Sequence, residues 1–265
     1  MPALALEGIR VTFLSPDGAR FTPIRDATLR VEPGEFVSVV GPTGCGKSTL
    51  LNVAVGLLQP SAGSVQVFGE PLAGLNRKAG YLFQSEALMP WRTALQNVTA
   101  GLEFRGVEGQ EAKRRAEGWL QRVGLAGLGD RYPHRLSGGM RKRVALAQSL
   151  ILDPEIIMMD EPFSALDIQT RHLMENELLE IWSANRKSVV FITHDLEEAI
   201  SLSDRVVVLS AGPATHPIGE FAIDLPRPRD VAEIRLTPRF IDLHTRIWHA
   251  MKEEVLKGYE QQKNQ

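Results

Sequence analysis

The chain has 265 residues, is 43% hydrophobic and 23% charged, and sets 30 Lys and Arg against 32 Asp and Glu for a net charge of −2. That balance excludes a global basic field of the kind that draws a protein to nucleic acid, and the composition is that of an ordinary globular protein. A single Cys excludes an internal disulfide, and no apolar run reaches the roughly 18 residues needed to cross a bilayer. The start shows no basic stretch followed by an apolar run and a cleavage site, so a reducing, cytoplasmic setting is expected.

The first predicted elements lie between residues 4 and 31. Short apolar stretches (Leu4 and Leu6, Ile9-Val11-Phe13, then Phe21, Ile24, Leu29 and Val31) are separated by the turn signal Ser15-Pro16-Asp17-Gly18, which predicts antiparallel strands. Residues 35–40 follow as a buried strand and residues 48–56 as an apolar helix. Between them stands Gly41-Pro42-Thr43-Gly44-Cys45-Gly46-Lys47-Ser48, the spacing G-x-x-x-x-G-K-[ST]. Glycines let successive backbone N–H groups turn inward around a triphosphate, the Lys reaches the β- and γ-phosphates, and the Ser hydroxyl ligates Mg²⁺. The helix that follows aims the positive end of its dipole at the anion. This stretch is read as a nucleotide site. Cys45 leaves two readings open: a thiol activated by the helix start and reactive to a maleimide unless Mg-ATP protects it, or an inert small residue.

Two further strand-like runs, residues 64–68 and 81–83, precede a change of pattern. From residue 85 to 152 the chain reads as a helical insert. Residues 110–123 form one helix with Ala112, Ala116, Trp119, Leu120 and Val123 on a face, and residues 143–152 form another, stopped by Asp153-Pro154. Before the second, Leu136-Ser137-Gly138-Gly139-Met140 offers a capped helix start. It either binds an anion, one held by another copy of the chain, or is only a cap with a flexible lead-in. The runs Lys113-Arg114-Arg115 and Arg141-Lys142-Arg143 read as solvated helix faces, and the histidines 134, 172, 216, 244 and 249 as structural or solvated. The α/β rhythm then resumes with a strand at 156–159, a helix at 170–182, a strand at 189–193, a helix at 196–202 and a strand at 205–209, which argues for a mostly parallel sheet. The first of these strands ends in Asp160 and Glu161, where one carboxylate can hold Mg²⁺ and the other take a proton from an attacking water. Leu225-Pro226-Arg227-Pro228-Arg229 reads as a stiff linker. Phe240, Leu243, Ile247, Trp248, Met251 and Val255 give an amphipathic C-terminal helix, and the last six residues are expected to fray.

The phosphate loop, Leu-Ser-Gly-Gly-Met at 136–140, Ile-Ile-Met-Met-Asp-Glu-Pro from 156, Ser164-Ala165-Leu166-Asp167 and Thr193-His194-Asp195 stand in this order. Together they resemble the ATP-binding subunit of an ATP-binding cassette (ABC) transporter over roughly residues 4–219. The resemblance implies an α/β fold: a P-loop NTPase core with a mostly parallel sheet, an N-terminal antiparallel β subdomain and an inserted α-helical subdomain. An ATPase domain would cover 1–225, with the helical part at about 85–152, and 226–265 would be linker and amphipathic helix. It implies ATP and Mg²⁺ as cofactors and a head-to-tail dimer, each ATP lying between one copy's phosphate loop and the other's Ser137, Gly138, Gly139 and Met140. Lys47, Ser48 and Thr49 would hold phosphates and metal, with Gln84 and Asp160 also at the metal. Glu161 would be the catalytic base, His194 the switch histidine, Asp167 part of the dimer contact loop, and Phe13 the ring stacked on adenine. Met140 departs from the usual Gln, and a thioether cannot supply amide hydrogen bonds.

The stretches 88–93, 136–147 and 225–229 resemble importer ATPases for nitrate, sulfonates and taurine. An importer motor would meet membrane permease subunits through about residues 85–101, with Met89, Pro90 and Trp91 as contacts, on the inner face of the cell membrane. It would serve a substrate-binding protein indirectly and bind no nucleic acid. The alternatives are a non-transport ABC ATPase, an ABC motor for another cargo, or a GTP switch. For the last, the chain lacks N-K-x-D, as Asn76-Arg77-Lys78-Ala79 and Asn185-Arg186-Lys187-Ser188 show.

Overall fold

The N-terminal stretches pair as expected, but as two long strands. β1 (Leu4–Leu14) runs antiparallel to β2 (Arg20–Val31) and, on its other edge, to β4 (Ala62–Val67), which pairs with the short β5 (Glu70–Pro71). Leu6 and Ile9 are three residues apart and would face opposite sides of a regular strand. A register shift between them, with Gly8 at φ +58°, turns both into the core. The computed structural model describes every residue except Pro16, Asp17, Glu86, Ala165, Asn264 and Gln265. The centre of the predicted turn after Ser15, one position of the 85–101 surface, Ala165 of the contact loop and the end of the expected fraying tail therefore lie outside the described residues.

The second sheet positions the chemistry. β3 (Phe36–Val40) is buried along its whole length and lies between two parallel neighbours, β8 (Ser188–Ile192) and β9 (Arg205–Leu209). Beyond β8 come β7 (Ile156–Asp160) and β6 (Ala79–Leu82), also parallel. Beyond β9 comes the antiparallel edge strand β10 (Pro217–Ala222), which the sequence reading did not anticipate. Strands buried on both faces need near-continuous apolar sequence, as Ile-Ile-Met-Met and Ser-Val-Val-Phe-Ile supply. One face carries α1 (Lys47–Val55). The other carries α5 (Ile168–Asn185), whose Trp182 meets Phe36 edge-on at 5.7 Å between ring centres. Burying a large apolar side chain contributes about 1.5–3 kcal/mol.

Among the described residues the insert holds three α-helices and a short 3-10 turn at Pro133–Arg135, where two helices were expected. α2 (Ala94–Phe104) precedes α3 (Gly109–Arg122), and α4 begins at Gly138, not at residue 143, and ends at Leu150. The signal for α2 was present: Thr93 and Gln96 form a reciprocal capping box. Arg141-Lys142-Arg143 is not a solvated face. Lys142 is 2% exposed, and Arg143 donates to the Val123 carbonyl at 3.3 Å. Arg115 likewise reaches the Ile151 carbonyl at 3.0 Å.

After α6 (Leu196–Leu202), the segment expected to be a linker is pinned to the core. Arg227 bonds Asp204 and lies over the Trp182 ring, and Arg229 donates to the carbonyls of Ile200, Ser201 and Ser203 at the end of α6. A short α7 (Val231–Ile234) leads into α8 (Pro238–Lys263). Phe240, Leu243, Ile247 and Met251 of α8 share one core with Val40, Ala199, Ile200 and Val208. Trp248 stands at the margin of that stripe, 39% exposed.

Candidate functional site

Strand β3 ends at Val40 and α1 starts at Lys47, so residues 41–46 form the loop between them. Gly46 caps the helix at φ +106°, a conformation that glycine adopts without strain. No acidic residue occupies the first turn of α1, which leaves its positive end free for an anion. Lys47 folds back over the loop, its ammonium donating to the Gly41 carbonyl at 2.9 Å and the Pro42 carbonyl at 3.1 Å. The Pro42 carbonyl also accepts the Cys45 N–H at 3.2 Å. Thr43, Gly44 and Ser48 are exposed, and Thr49 is half-buried beside the cleft described below.

Cys45 decides between its two readings. The side chain is 1% exposed in the core cluster, and burial pushes its thiol pKa up despite the nearby Lys47. The activated, nucleotide-protected thiol is therefore corrected to an inert one. The helix start acts on groups in front of it, and this sulfur points away into the core.

The C-terminal ends of β7 and β8 bring the acids and the histidine together. Ser48 Oγ donates to Asp160 Oδ1 at 3.0 Å. Asp160 is 6% exposed, and burial raises its carboxyl pKa, with the Ser48 hydrogen bond opposing. Hydroxyl and carboxylate oxygens are the hard donors Mg²⁺ takes, usually with one or two carboxylates and several waters. A cation would restore the ionised carboxylate that burial disfavours, so the residues fit the metal. Next to it, Glu161 adopts φ +43°, a strained conformation for a non-glycine residue and one that clusters at functional sites. Its Oε2 lies 3.0 Å from His194 Nδ1 and accepts the Gln84 amide at 3.4 Å. A carboxylate held by two partners, beside a phosphate loop, is placed to take a proton from water.

Lys142 is a participant the sequence reading missed. Its buried ammonium donates to the Gln84 carbonyl, tying α4 of the insert to the loop that carries Gln84. Lysine in a run of three basic residues gives no sign of this.

An open cleft of about 740 Å³ lies beside the loop, lined among others by Phe13, Thr49, Asn52, Tyr81, Gln84 and Asp160. Phe13 is 43% exposed, so it is not a core residue of β1. The described lining includes no residue of 136–140. Ser137 instead caps α4, accepting the Met140 N–H at 3.3 Å, with Gly138 and Gly139 in the first turn and Met140 half-buried against the insert core. Asp167 caps α5 through the Thr170 N–H at 3.0 Å, and that bond lowers its carboxyl pKa. Trp91 is 72% exposed. Two residues before it, Met89 joins Phe83, Gly101, Phe104 and Leu152 in lining a groove that shares Tyr81, Phe83 and Ser85 with the cleft. No helix among the described residues is long and apolar enough to cross a membrane.

Comparison with known proteins gives one answer throughout. A family model described as ABC transporter matches residues 24–164. An uncharacterized ABC transporter ATP-binding protein of Methanocaldococcus jannaschii is 47% identical over 243 residues, 91% of this chain and 89% of that protein. A taurine import ATP-binding protein of Pelagibacter ubique is 37% identical, covering 97% of this chain and 98% of its own length. A nitrate import ATP-binding protein of Synechococcus elongatus is 38% identical over 95% of this chain but only 38% of its own. Among solved structures, a dimeric ATP-binding cassette in a post-hydrolysis state with ADP and Pi superposes with a TM-score of 0.75. It is 30% identical, over 84% of this chain and all of that one.

Proposed function

The chain belongs to the ABC transporter family, as one of its ATP-hydrolysing ATP-binding subunits, and on that premise we propose that it powers import of a small anionic or organic nutrient through separate permease subunits. The observation that carries this reading is the grouping of Glu161, His194 and Gln84 beside the Ser48–Asp160 pair at the mouth of the phosphate loop. On binding ATP, Lys47 leaves the Gly41 and Pro42 carbonyls for the phosphates, and the adenine stacks on Phe13. Ser48, Asp160 and Gln84 would hold Mg²⁺, which when bound would supply charge to neutralise the phosphates. Glu161 takes the proton of the attacking water, and His194 orients the water and the γ-phosphate.

The chain works as a head-to-tail pair, Ser137, Gly138, Gly139 and Met140 of one copy closing on the other's nucleotide, with Asp167 in the contact loop. The names of the nitrate, taurine and bicarbonate relatives support the cargo class. The exposed Trp91 and the groove that Met89 lines support permease contact through about residues 85–101, which would hold the subunit at the inner membrane face.

The test is to copurify the permease and measure hydrolysis with nitrate, taurine or bicarbonate and the matching binding protein. Glu161→Gln should bind ATP, accumulate as a closed dimer and lose about 10²–10⁴-fold in turnover. Wild-type turnover in that variant would remove Glu161 as the base. Unaltered assembly and coupling in Trp91→Ala would remove that contact.

A further inference from the structure

The last turns of α8 touch the phosphate loop. Gly258 faces Pro42 so closely that a Cβ added to it would lie 3.2 Å from Pro42 Cβ. One turn earlier, Glu254 Oε2 accepts the Ala211 N–H at 2.7 Å, in the loop that follows β9. That loop lies directly against the phosphate loop. A Cβ on Gly212 would sit 3.3 Å from Cys45 Cα and 3.4 Å from the Gly44 carbonyl, and the Thr215 hydroxyl donates to the Cys45 carbonyl. The Pro42 carbonyl is the acceptor shared by Cys45 N–H and the Lys47 ammonium. Whatever presses on Pro42 therefore acts on the turn of the loop and on the resting anchor of the lysine together.

Gly258 is otherwise out of place. It sits inside a helix, where glycine is among the poorest formers, and no positive φ there calls for it. The close approach to Pro42 accounts for it. The opposite end of α8 is anchored, since its apolar stripe shares a core with α6 and with Val40, the last residue before the loop. A rigid helix seated at one end on the strand that feeds the loop, and at the other on the loop itself, can set the loop's shape.

We propose that Glu254 and Gly258 are positioning residues of the nucleotide site, and that α8 is a strut for the phosphate loop. The reading rests on residues 41–48 holding ATP. A loop whose N–H groups converge on phosphates tolerates little displacement, since ~1 Å of misplacement can cost ~10²-fold.

The test compares wild type with Gly258→Ala, Glu254→Ala, Glu254→Gln and Lys47→Ala in the full chain. Thermal unfolding, KM and kcat for ATP, and Kd for a fluorescent ATP analogue are measured. Alanine strengthens a helix relative to glycine, so a purely structural role predicts an equal or higher Tm for Gly258→Ala with unchanged KM. Positioning predicts that same Tm with KM and Kd raised about threefold to tenfold and kcat within about twofold. Glu254→Ala should raise KM similarly, and Glu254→Gln, whose carbonyl still accepts the Ala211 N–H, should restore it. The proposal is overturned if Gly258→Ala and Glu254→Ala both keep KM within about twofold while Lys47→Ala loses binding. If Lys47→Ala binds the analogue as wild type does, the phosphate-loop reading itself fails.

Discussion

Arg171, on the first turn of α5, holds together the segments on either side of His194. Nη1 donates to Asp195 Oδ2 at 3.0 Å and Nη2 to the Leu166 carbonyl at 3.3 Å, while Nε lies 3.5 Å from Glu198 Oε1. Asp195 caps α6 directly after His194, and Glu198 accepts the Thr193 hydroxyl at 2.6 Å directly before it. Glu198 is 3% exposed, and burial raises its carboxyl pKa against the pull of Thr193 and Arg171. Replacing Arg171 by Met keeps an apolar stem and leaves both acids without their cation. Breaking a buried pair costs about 3–5 kcal/mol. The 22% exposure of Arg171 lets water recover part of that, so a loss of about 2–3 kcal/mol is expected. At about 2–4 °C per kcal/mol for a chain of this size, Tm should fall by about 4–12 °C.

The pH dependence has a definite sign. A carboxyl whose folded pKa is raised favours the folded state at low pH, and that contribution is lost as pH rises through the raised pKa. Removing Arg171 raises the Glu198 pKa further, so the deficit of Arg171→Met should grow as pH rises above the ordinary carboxyl range. Thermal unfolding as a function of pH measures it, and adding Glu198→Gln should recover more than half the loss at the upper end. A deficit independent of pH, or one untouched by Glu198→Gln, refutes the reasoning. The loosened His194 should also lower kcat more than it raises KM.

Two further outcomes follow from the site. Because Cys45 is buried and its thiol pKa is raised, a maleimide should label it only on unfolding and leave folded protein active with or without Mg-ATP; rapid inactivation of the folded protein would contradict this. Phe13→Ala should weaken ATP binding by the ~1–3 kcal/mol that base–aromatic stacking contributes, with Phe13→Tyr close to wild type. Equal affinity for the alanine variant in a nucleotide titration would take Phe13 out of the site.

Motifs and periodicity made most of the core legible. β3, α1, β7, β8, α6 and β9 lie within a residue or two of expectation because apolar runs and helix caps are local signals. What stayed hidden depends on partners distant in sequence. Phe221 of β10 makes sense only beside Val206 of β9, an edge that local pattern does not announce. Lys142 reads as surface because a charged side chain in a basic run has no sequence signature for the carbonyl 58 residues away that receives it. The choice between the two readings of Cys45 stays open in the sequence for a related reason: the residue's place in the motif is visible, but the burial of its thiol is not. The capping box at Thr93 is different, since its signal, Thr followed three residues later by Gln, is local.

The packing of Gly139 bears on how one chain would present its half of the proposed composite site. A Cβ there would lie 3.0 Å from the Thr170 methyl, and Thr170 is the residue whose N–H binds the Asp167 carboxylate. The first turn of α4 is thereby seated on the first turn of α5, which joins the segments expected to meet a second copy, residues 137–140 and Asp167. The same α4 reaches Gln84 through Lys142, and Gln84 reaches Glu161. Under the proposed head-to-tail pairing, a nucleotide drawn against Ser137 by a second copy would act on the helix that Lys142 ties to Gln84 and so to Glu161, and the glycine at 139 would be a packing requirement as well as an approach for phosphate.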